Sequence, residues 1–134
     1  MTVSGGCLCG KVRYSIDQPL GKTGSCHCSM CRKAHGSAFG TFAEVHPGSF
    51  NWEEGEDNVG RFQSSEEGVR CFCKTCGSPL GAMSGDNIGW VALGTVDGDP
   101  GVRSQANIFV NSKAPWFEIL DKLPQFDEYP PGEE

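Results

Sequence analysis

The sequence predicts a mainly β protein with little helix, and three observations support this. Glycine supplies 19 of the 134 residues, roughly twice the usual share of 7%. Only 37% of the residues are hydrophobic and 21% are charged, which is poor material for a helical bundle. Short apolar stretches are separated by clusters of glycine with aspartate or asparagine, as in strands joined by turns. The length fits one domain, which we place at residues 1–126.

The first strand candidate shows the clearest alternation. Val12, Tyr14 and Ile16 alternate with polar residues, so they predict a half-buried strand that ends before Pro19. Further short strands are predicted at 39–42, 59–62, 69–73, 90–93 and 106–110. Turns are predicted at 53–60, 84–89 and 97–101.

One short helix is predicted from Ser29 to His35. Ser29 is a favourable N-cap, and Gly36 is a favourable residue to end the helix. Residues 127–134 form an acidic tail that contains two prolines, and we expect this tail to be mobile.

Charge and hydropathy exclude several classes of function. The formal net charge of −6 at pH 7 argues against binding to nucleic acid or to an acidic membrane, because both need a basic patch. No stretch approaches the ~20 apolar residues of a membrane span, and the first residues lack the basic and apolar regions of a secretory signal. We therefore expect a cytoplasmic protein whose thiols stay reduced.

Eight cysteines fall in three short groups. The groups are Cys7-Leu8-Cys9, Cys26-His27-Cys28-Ser29-Met30-Cys31 and Cys71-Phe72-Cys73-Lys74-Thr75-Cys76. Two residues between cysteines let a tight turn bring both sulfurs to one ion, and glycines around the first pair permit an even sharper turn. In a reduced chain the pattern predicts zinc binding.

Other uses of the cysteines fit less well. Disulfides would need an oxidising compartment, the spacings are not those of ferredoxin clusters, and neither C-x-x-C follows a strand in a βαβ pattern as in thioredoxin. Spacing leaves the division of the sulfurs open. Two closed four-cysteine sites would make a structural module, whereas a division into four and three would leave one zinc with an open position.

Three segments resemble the glutathione-dependent formaldehyde-activating enzyme (Gfa) family, which includes centromere protein V. They are Gly5–Tyr14, Cys26–Lys33 and Phe72–Leu80, and the later segments Ala114–Ile119 and Leu123–Phe126 match as well. The resemblance implies an Mss4-like fold of small antiparallel sheets organised around zinc. It also implies two zinc ions per chain.

The resemblance divides the cysteines unequally. It implies a structural zinc held by Cys7, Cys9, Cys73 and Cys76. It implies a second, catalytic zinc on Cys26, Cys28 and Cys31, with an open fourth position. Cys71 has no counterpart in the motif, so we interpret it as a small buried side chain, with a fourth ligand to the second zinc or a labile thiol as alternatives.

The activity that the resemblance implies is that of a carbon–sulfur lyase. Glutathione is the expected small-molecule thiol and co-substrate, and its zinc-bound thiolate would add to formaldehyde to give S-hydroxymethylglutathione. Arg32, Lys33 and Arg70 are candidates for contacts with the glutathione carboxylates, because they adjoin the cysteine motifs.

The histidines and Trp116 are expected to have lesser roles. His27 lies between two cysteines and is expected to point away from them, while His35 and His46 are expected in turns or at the surface. Trp116 is predicted to lie in the core.

Asn107 departs from the family, in which many members have a histidine at this position. An asparagine cannot shuttle a proton, so the substrate is expected to differ if that histidine takes part in the reaction.

Two other functions stay open at this point. One is a non-catalytic zinc-binding module that binds a thiol or a protein partner. The other is a redox or metal-handling protein that uses the second site as a labile zinc store.

Overall fold

The computed structural model describes residues 2–132, and this part of the chain contains ten strands and one α-helix. In chain order they are β1 Val3–Gly6, β2 Arg13–Ile16, β3 Thr23–Cys26, α1 Ser29–His35, β4 Gly40–Glu44, β5 Phe50–Glu54, β6 Val59–Gln63, β7 Val69–Cys73, β8 Pro79–Ser84, β9 Asn87–Ala92 and β10 Asn107–Ile108. No helix within residues 2–132 is both long and apolar enough to cross a membrane. The predicted fold class, mainly β with a minor helix, is confirmed.

The strands form two sheets. A three-stranded antiparallel sheet has the order β1-β2-β5, and a seven-stranded sheet has the order β10-β3-β4-β9-β8-β7-β6. The seven-stranded sheet is antiparallel except at one end, where β10 runs parallel to β3 with Ile108 opposite Cys26. Through this parallel pair, residues that are distant in sequence come to lie beside the second cysteine group.

The core lies along the alternating face of β2. Val12, Tyr14 and Ile16 are at most 1% exposed, as the alternation predicts, and the ring of Tyr14 stacks on that of Phe50 at 5.4 Å. Leu80 and Val91 from the larger sheet are fully buried in the same cluster. The two sheets therefore share one core.

Several strands were not predicted from the sequence. β1 and β3 are short and rich in glycine or serine, and β8 begins with a proline, so none of them carries a strong strand pattern. The turn predicted at 53–60 was wrong at both ends, because β5 extends to Glu54 and β6 begins at Val59. The pairing of β5 with β2 gives residues 50–54 their extended conformation.

Helix α1 has the predicted bounds but a different first cap. Its N-cap is Cys28, whose Sγ accepts a hydrogen bond from the amide of Cys31, so the prediction of Ser29 was wrong by one residue. Gly36 ends the helix as predicted, in the left-handed conformation with φ 59°. The capping sulfur is thus one of the predicted zinc ligands.

The C-terminal segment packs on the far side of β10. Asn107 pairs in parallel with Gln125, and the amide of Phe109 donates to the carbonyl of Glu128. The mobility expected of residues 127–134 stays a prediction, and residues 133–134 lie outside the described residues. Residues 128 and 129 nevertheless make defined contacts with Phe109.

Candidate metal centres

The first and third cysteine motifs meet in one four-sulfur group. The sulfurs of Cys7, Cys9, Cys73 and Cys76 all lie within 4.8 Å of one another. Cys7 and Cys9 follow β1, and Cys73 ends β7, so the group joins the small sheet to the large one. This is the set that the family resemblance implied for the structural zinc.

The spacing of these sulfurs suits zinc. The Sγ of Cys9 is 3.6 Å from that of Cys7 and 3.7 Å from that of Cys73. A tetrahedral zinc with Zn–S bonds of 2.3 Å would separate its sulfurs by about 3.8 Å. Both measured distances are therefore close to the edge length of a zinc–thiolate tetrahedron, and all four sulfurs lie within 4.8 Å of one another.

Hydrogen bonds to the sulfurs support this group. The amides of Val12 and Cys76 donate to the sulfurs of Cys7 and Cys73, and the side-chain amide of Asn58 also donates to Cys73 at 3.4 Å. The hydroxyl of Ser78 lies 3.3 Å from the sulfur of Cys76, and this contact lowers the pKa of Cys76 to about 5. Donors around thiolates orient them and stabilise their charge.

The second motif forms a three-sulfur group by itself. The sulfurs of Cys26, Cys28 and Cys31 lie within 4.8 Å of one another. Cys26 ends β3, Cys28 caps α1, and Cys31 lies in the first turn of that helix, so one strand-to-helix turn supplies all three. Hydrogen bonds with Cys26 and Cys31 lower the pKa of Cys28 to about 2. The donor set is that of a thiolate metal site with three protein ligands.

No other described residue completes the three-cysteine group. Among residues 2–132, no further histidine, cysteine, aspartate or glutamate belongs to the cluster. Cys71 is 1% exposed and its sulfur donates to the carbonyl of Gly81 at 3.5 Å. Burial raises the pKa of Cys71 to about 12, as for a neutral buried thiol. These contacts agree with its interpretation as a small buried side chain.

His27 is fully buried and is held by two residues far away in sequence. Its Nε2 lies 2.9 Å from Oδ1 of Asn107, and Nδ2 of Asn107 donates to the carboxylate of Asp121 at 3.1 Å. An ionised carboxylate can only accept, so Asp121 orients the amide with its oxygen toward His27. The proton of that hydrogen bond therefore belongs to Nε2 of His27.

This arrangement leaves one nitrogen of His27 without a protein partner. Nδ1 is buried and has no hydrogen bond within residues 2–132. The ring packs against Phe39 and Phe117, with centroids 5.1 and 6.1 Å away. Asp121 could not be predicted as a partner, because nothing in the spacing between residues 107 and 121 indicates a contact.

The three basic candidates have different surroundings. Arg70 donates from its guanidinium to the sulfur of Cys31 at 3.4 Å. The Nε atom of Arg32 is buried and has no partner among the described residues, whereas Lys33 is exposed on α1. Of the three, only Arg70 makes a hydrogen bond to the three-cysteine group within residues 2–132.

Two cavities lie beside helix α1, and His35 lines both of them. A cavity of about 200 Å³ is lined by Arg70, by Phe42, Phe62 and Phe72, and by His35. A second cavity of about 290 Å³ shares His35 and includes Ser37 and Thr41. Arg70 thus connects the smaller cavity to the sulfur of Cys31.

The predictions for the other two histidines and for Trp116 had different outcomes. His46 is exposed, as predicted. His35 is half-buried at the end of α1, and burial followed by the nearby charge of Arg70 lowers its pKa. Trp116 is 71% exposed, so its predicted place in the core was wrong. The neighbouring Phe117 packs on His27 instead.

Known proteins resemble this chain in sequence and in fold. An uncharacterized lyase of Schizosaccharomyces pombe is 29% identical over 126 residues, covering 91% of this chain and 88% of the relative. The crystal structure of a Rhodobacter sphaeroides protein shares the fold with a TM-score of 0.55 and 24% identity, covering 72% of this chain and 89% of the other.

A family model defines the relationship. The model described as glutathione-dependent formaldehyde-activating enzyme matches residues 2–112, which include all eight cysteines. The chain therefore belongs to the glutathione-dependent formaldehyde-activating enzyme family.

Proposed function

We propose that the protein is a zinc-dependent carbon–sulfur lyase that acts on a glutathione adduct such as S-hydroxymethylglutathione. The observation that carries the proposal is the three-cysteine group, which no fourth ligand from residues 2–132 completes. A metal held there keeps a coordination position for a substrate. The family match and the lyase among its relatives support the same class of reaction.

The donor set indicates which substrate atom would take that position. Zinc bound by Cys26, Cys28 and Cys31 would favour the ionised form of a substrate thiol and hold it there. Three thiolates already carry a charge of −3, so the site suits exchange at a carbon–sulfur bond better than activation of water. A non-catalytic zinc module and a zinc store would use the same three cysteines, but the family match and the lyase among the relatives favour the lyase.

Arg70 is positioned to bind the charged part of glutathione. Its guanidinium contacts the sulfur of Cys31 and also lines the smaller cavity. A carboxylate in that cavity would form a charge-assisted hydrogen bond with Arg70. Arg32 and Lys33 on α1 remain the second choices for the other carboxylate.

Many members of the family have a histidine where this chain has Asn107. The asparagine side chain here is held by defined hydrogen bonds. Asn107 fixes the ring of His27 and in turn is fixed by Asp121. It cannot carry a proton, so its part is to position His27 beside Cys26 and Cys28. The proposed chemistry needs no proton transfer at residue 107.

Exchange spectroscopy of glutathione with formaldehyde tests the function directly. The zinc-loaded protein is expected to accelerate interconversion of glutathione and its hydroxymethyl adduct above the uncatalysed rate. Arg70→Met, which keeps much of the length of the side chain but removes its charge, should raise KM by about tenfold, as loss of one charged hydrogen bond would.

Two controls keep the interpretation clear. Arg61→Met removes an arginine that is exposed on β6, and its KM should remain that of the unmodified protein. Protein stripped of zinc should not accelerate exchange. Equal rates with and without the zinc-loaded protein would reject the lyase on this substrate and favour the non-catalytic module.

A further inference from the structure

Three segments meet beside the second cysteine group. β3 leads into Cys26, β10 pairs with it in parallel, and the C-terminal segment lies on the other side of β10, where Gln125 makes one parallel bridge with Asn107. Beyond these pairs, the amide of His27 donates to the carbonyl of Ile108, and the amide of Phe109 donates to the carbonyl of Glu128. These two hydrogen bonds join His27, residues 108–109 and Glu128 across neighbouring segments, so Tyr129 follows on the side of the sheet where Cys28 begins α1.

Phe109 fixes the ring of Tyr129. The two rings meet edge to face with centroids 4.9 Å apart and an angle of 82°. Phe109 has φ 54°, the only positive φ of a non-glycine residue in the described part of the chain. A bulky residue pays strain for this conformation, and such strain is concentrated at functional sites.

The hydroxyl of Tyr129 is available to a ligand. The residue is 51% exposed, and within residues 2–132 its oxygen has no hydrogen-bond partner. Burial of part of the side chain raises the pKa of Tyr129, and the charges of Cys26, Cys28 and Cys31 raise it further. The hydroxyl therefore keeps its proton at neutral pH and can donate it in a hydrogen bond.

We propose that Tyr129 is a catalytic residue, whose hydroxyl donates a hydrogen bond to the oxygen of the carbonyl compound that adds to the thiol. This proposal rests on the lyase function proposed above. Tyr129 lies outside the residues 2–112 that the family model matches. It is therefore a feature of this chain's C-terminal segment.

The hydrogen bond would act where charge develops. In the addition, the thiolate sulfur forms a bond to the carbonyl carbon while the C=O π bond breaks, and its electron pair moves to oxygen. That oxygen takes its proton from water, and Tyr129 stabilises it before protonation. In the lyase direction hydroxide from solvent takes the proton of the adduct's hydroxyl group, the C=O bond forms again, and the C–S electron pair returns to sulfur.

Tyr129→Phe removes the hydroxyl and keeps the ring that packs on Phe109. We expect kcat for exchange to fall about 100-fold, the loss typical of one oxyanion donor, while the zinc content and the circular dichroism spectrum stay unchanged. Tyr14→Phe is the matched control, because Tyr14 is the other tyrosine and its hydroxyl bonds to Thr95 in the core. Its kcat should change less than threefold.

A binding measurement gives a readout apart from activity. With ¹³Cζ-labelled tyrosine, the zinc-loaded protein has two tyrosine signals, which the two phenylalanine variants assign. S-(2-hydroxyethyl)glutathione carries an oxygen near the sulfur, and S-ethylglutathione lacks it. At saturation the Tyr129 signal should shift with the hydroxyethyl ligand more than with the ethyl ligand, and the Tyr14 signal should move with neither.

The outcomes separate the two proposals. If the unmodified protein accelerates exchange and Tyr129→Phe does so within twofold of it, the role of Tyr129 is rejected and the lyase stands. If the unmodified protein does not accelerate exchange, the lyase is rejected, and the catalytic role of Tyr129 with it. Equal shifts of the Tyr129 signal with both ligands, or none with either, also reject the proposed hydrogen bond.

Discussion

The two cysteine groups are built in different ways. The four-cysteine group joins residues 64 positions apart, as between Cys9 and Cys73, and ties the small sheet to the large one. The three-cysteine group draws its sulfurs from a single turn between β3 and α1. We therefore expect metal in the first group to hold the fold together, and loss of metal from the second group to have only local consequences.

The two groups also differ in the donors of the hydrogen bonds to their sulfurs. Backbone amides and the side chain of Asn58 donate to sulfurs of the four-cysteine group. The three-cysteine group receives the amide of Cys31 and the guanidinium of Arg70, which also lines a cavity. Donors of the protein surround the four-cysteine group, although Cys9 itself is exposed, whereas the three-cysteine group is linked through Arg70 to a cavity that a ligand can occupy.

The largest expected effect is the difference in folding between cysteine variants of the two groups. Cys73→Ser should leave the chain unfolded at 25 °C, because a structural zinc contributes on the order of 10 kcal/mol in small zinc domains. Cys28→Ser should leave it folded, since serine is itself a good N-cap for α1. Circular dichroism and the zinc content of each variant provide the measurement, with a fall from two zinc ions to one expected for Cys28→Ser.

The reverse result would overturn the comparison. If Cys28→Ser unfolded the chain while Cys73→Ser remained folded, the structural and catalytic assignments would have to be exchanged. Ser29→Ala is a useful control, because Ser29 follows the true N-cap of α1. Its zinc content should equal that of the unmodified protein.

Removal of metal should follow the same order. A mild chelator is expected to take the zinc from Cys26, Cys28 and Cys31 first, because that ion has a position open to solvent or ligand. The circular dichroism spectrum should persist until the second ion is lost. Loss of both ions in one step together with unfolding would contradict two separable sites.

The fold could be predicted further than the site. The alternation of Val12, Tyr14 and Ile16 and the glycine content were enough for the fold class, because they act locally. The Cys-x-x-Cys spacings indicated metal binding, but the division of the sulfurs came only from a family resemblance. Geometry then showed that Cys9 meets Cys73, a contact across the chain that no spacing encodes.

The support of His27 was not predictable from local pattern. Asn107 and Asp121 reach it through the parallel pairing of β10 and through the segment after Trp116. The same long-range packing explains why Trp116 is exposed, since Phe117 takes the buried place beside His27. Contacts between distant segments decide these positions, and the residue types alone do not.

A third prediction concerns the support of the three-cysteine turn. Asn107→Ala should destabilise the protein by about 1–3 kcal/mol, because it leaves the buried Nε2–H of His27 without an acceptor. Asn111→Ala, at an exposed position, should cost less than about 0.5 kcal/mol. Denaturant unfolding of zinc-loaded protein measures both, and equal stabilities would show that the His27 contact contributes nothing.

A variant of Cys71 tests whether the metal at the three-cysteine group keeps an open coordination position, with a smaller expected effect on stability. Cys71→Ala should cost about 1 kcal/mol, the loss of a small buried group and a weak hydrogen bond, and should keep two zinc ions. The cysteine is buried against Gly81 and belongs to neither group. A variant with only one zinc would instead identify Cys71 as the missing fourth ligand and close the second site.

The smallest expected effect is the pH dependence that His35 gives to the region of the three-cysteine group. Burial and the nearby Arg70 lower its pKa in the folded protein. As the pH falls through the ordinary histidine value of about 6.5, the unfolded chain takes up a proton that folded His35 does not. Stability is therefore lost below that pH, and the loss stops once the pH is below the folded-state pKa.

His35→Gln removes this contribution, because glutamine does not titrate. Between pH 7.5 and pH 5.5, the thermal midpoint of the unmodified protein should fall further than that of the variant, by on the order of 2 °C. Acid release of zinc affects both proteins alike, so the difference between them isolates His35. His46→Gln, at an exposed position, should follow the unmodified protein. If His35→Gln did so too, the helix that carries Cys31 would owe none of its pH sensitivity to His35.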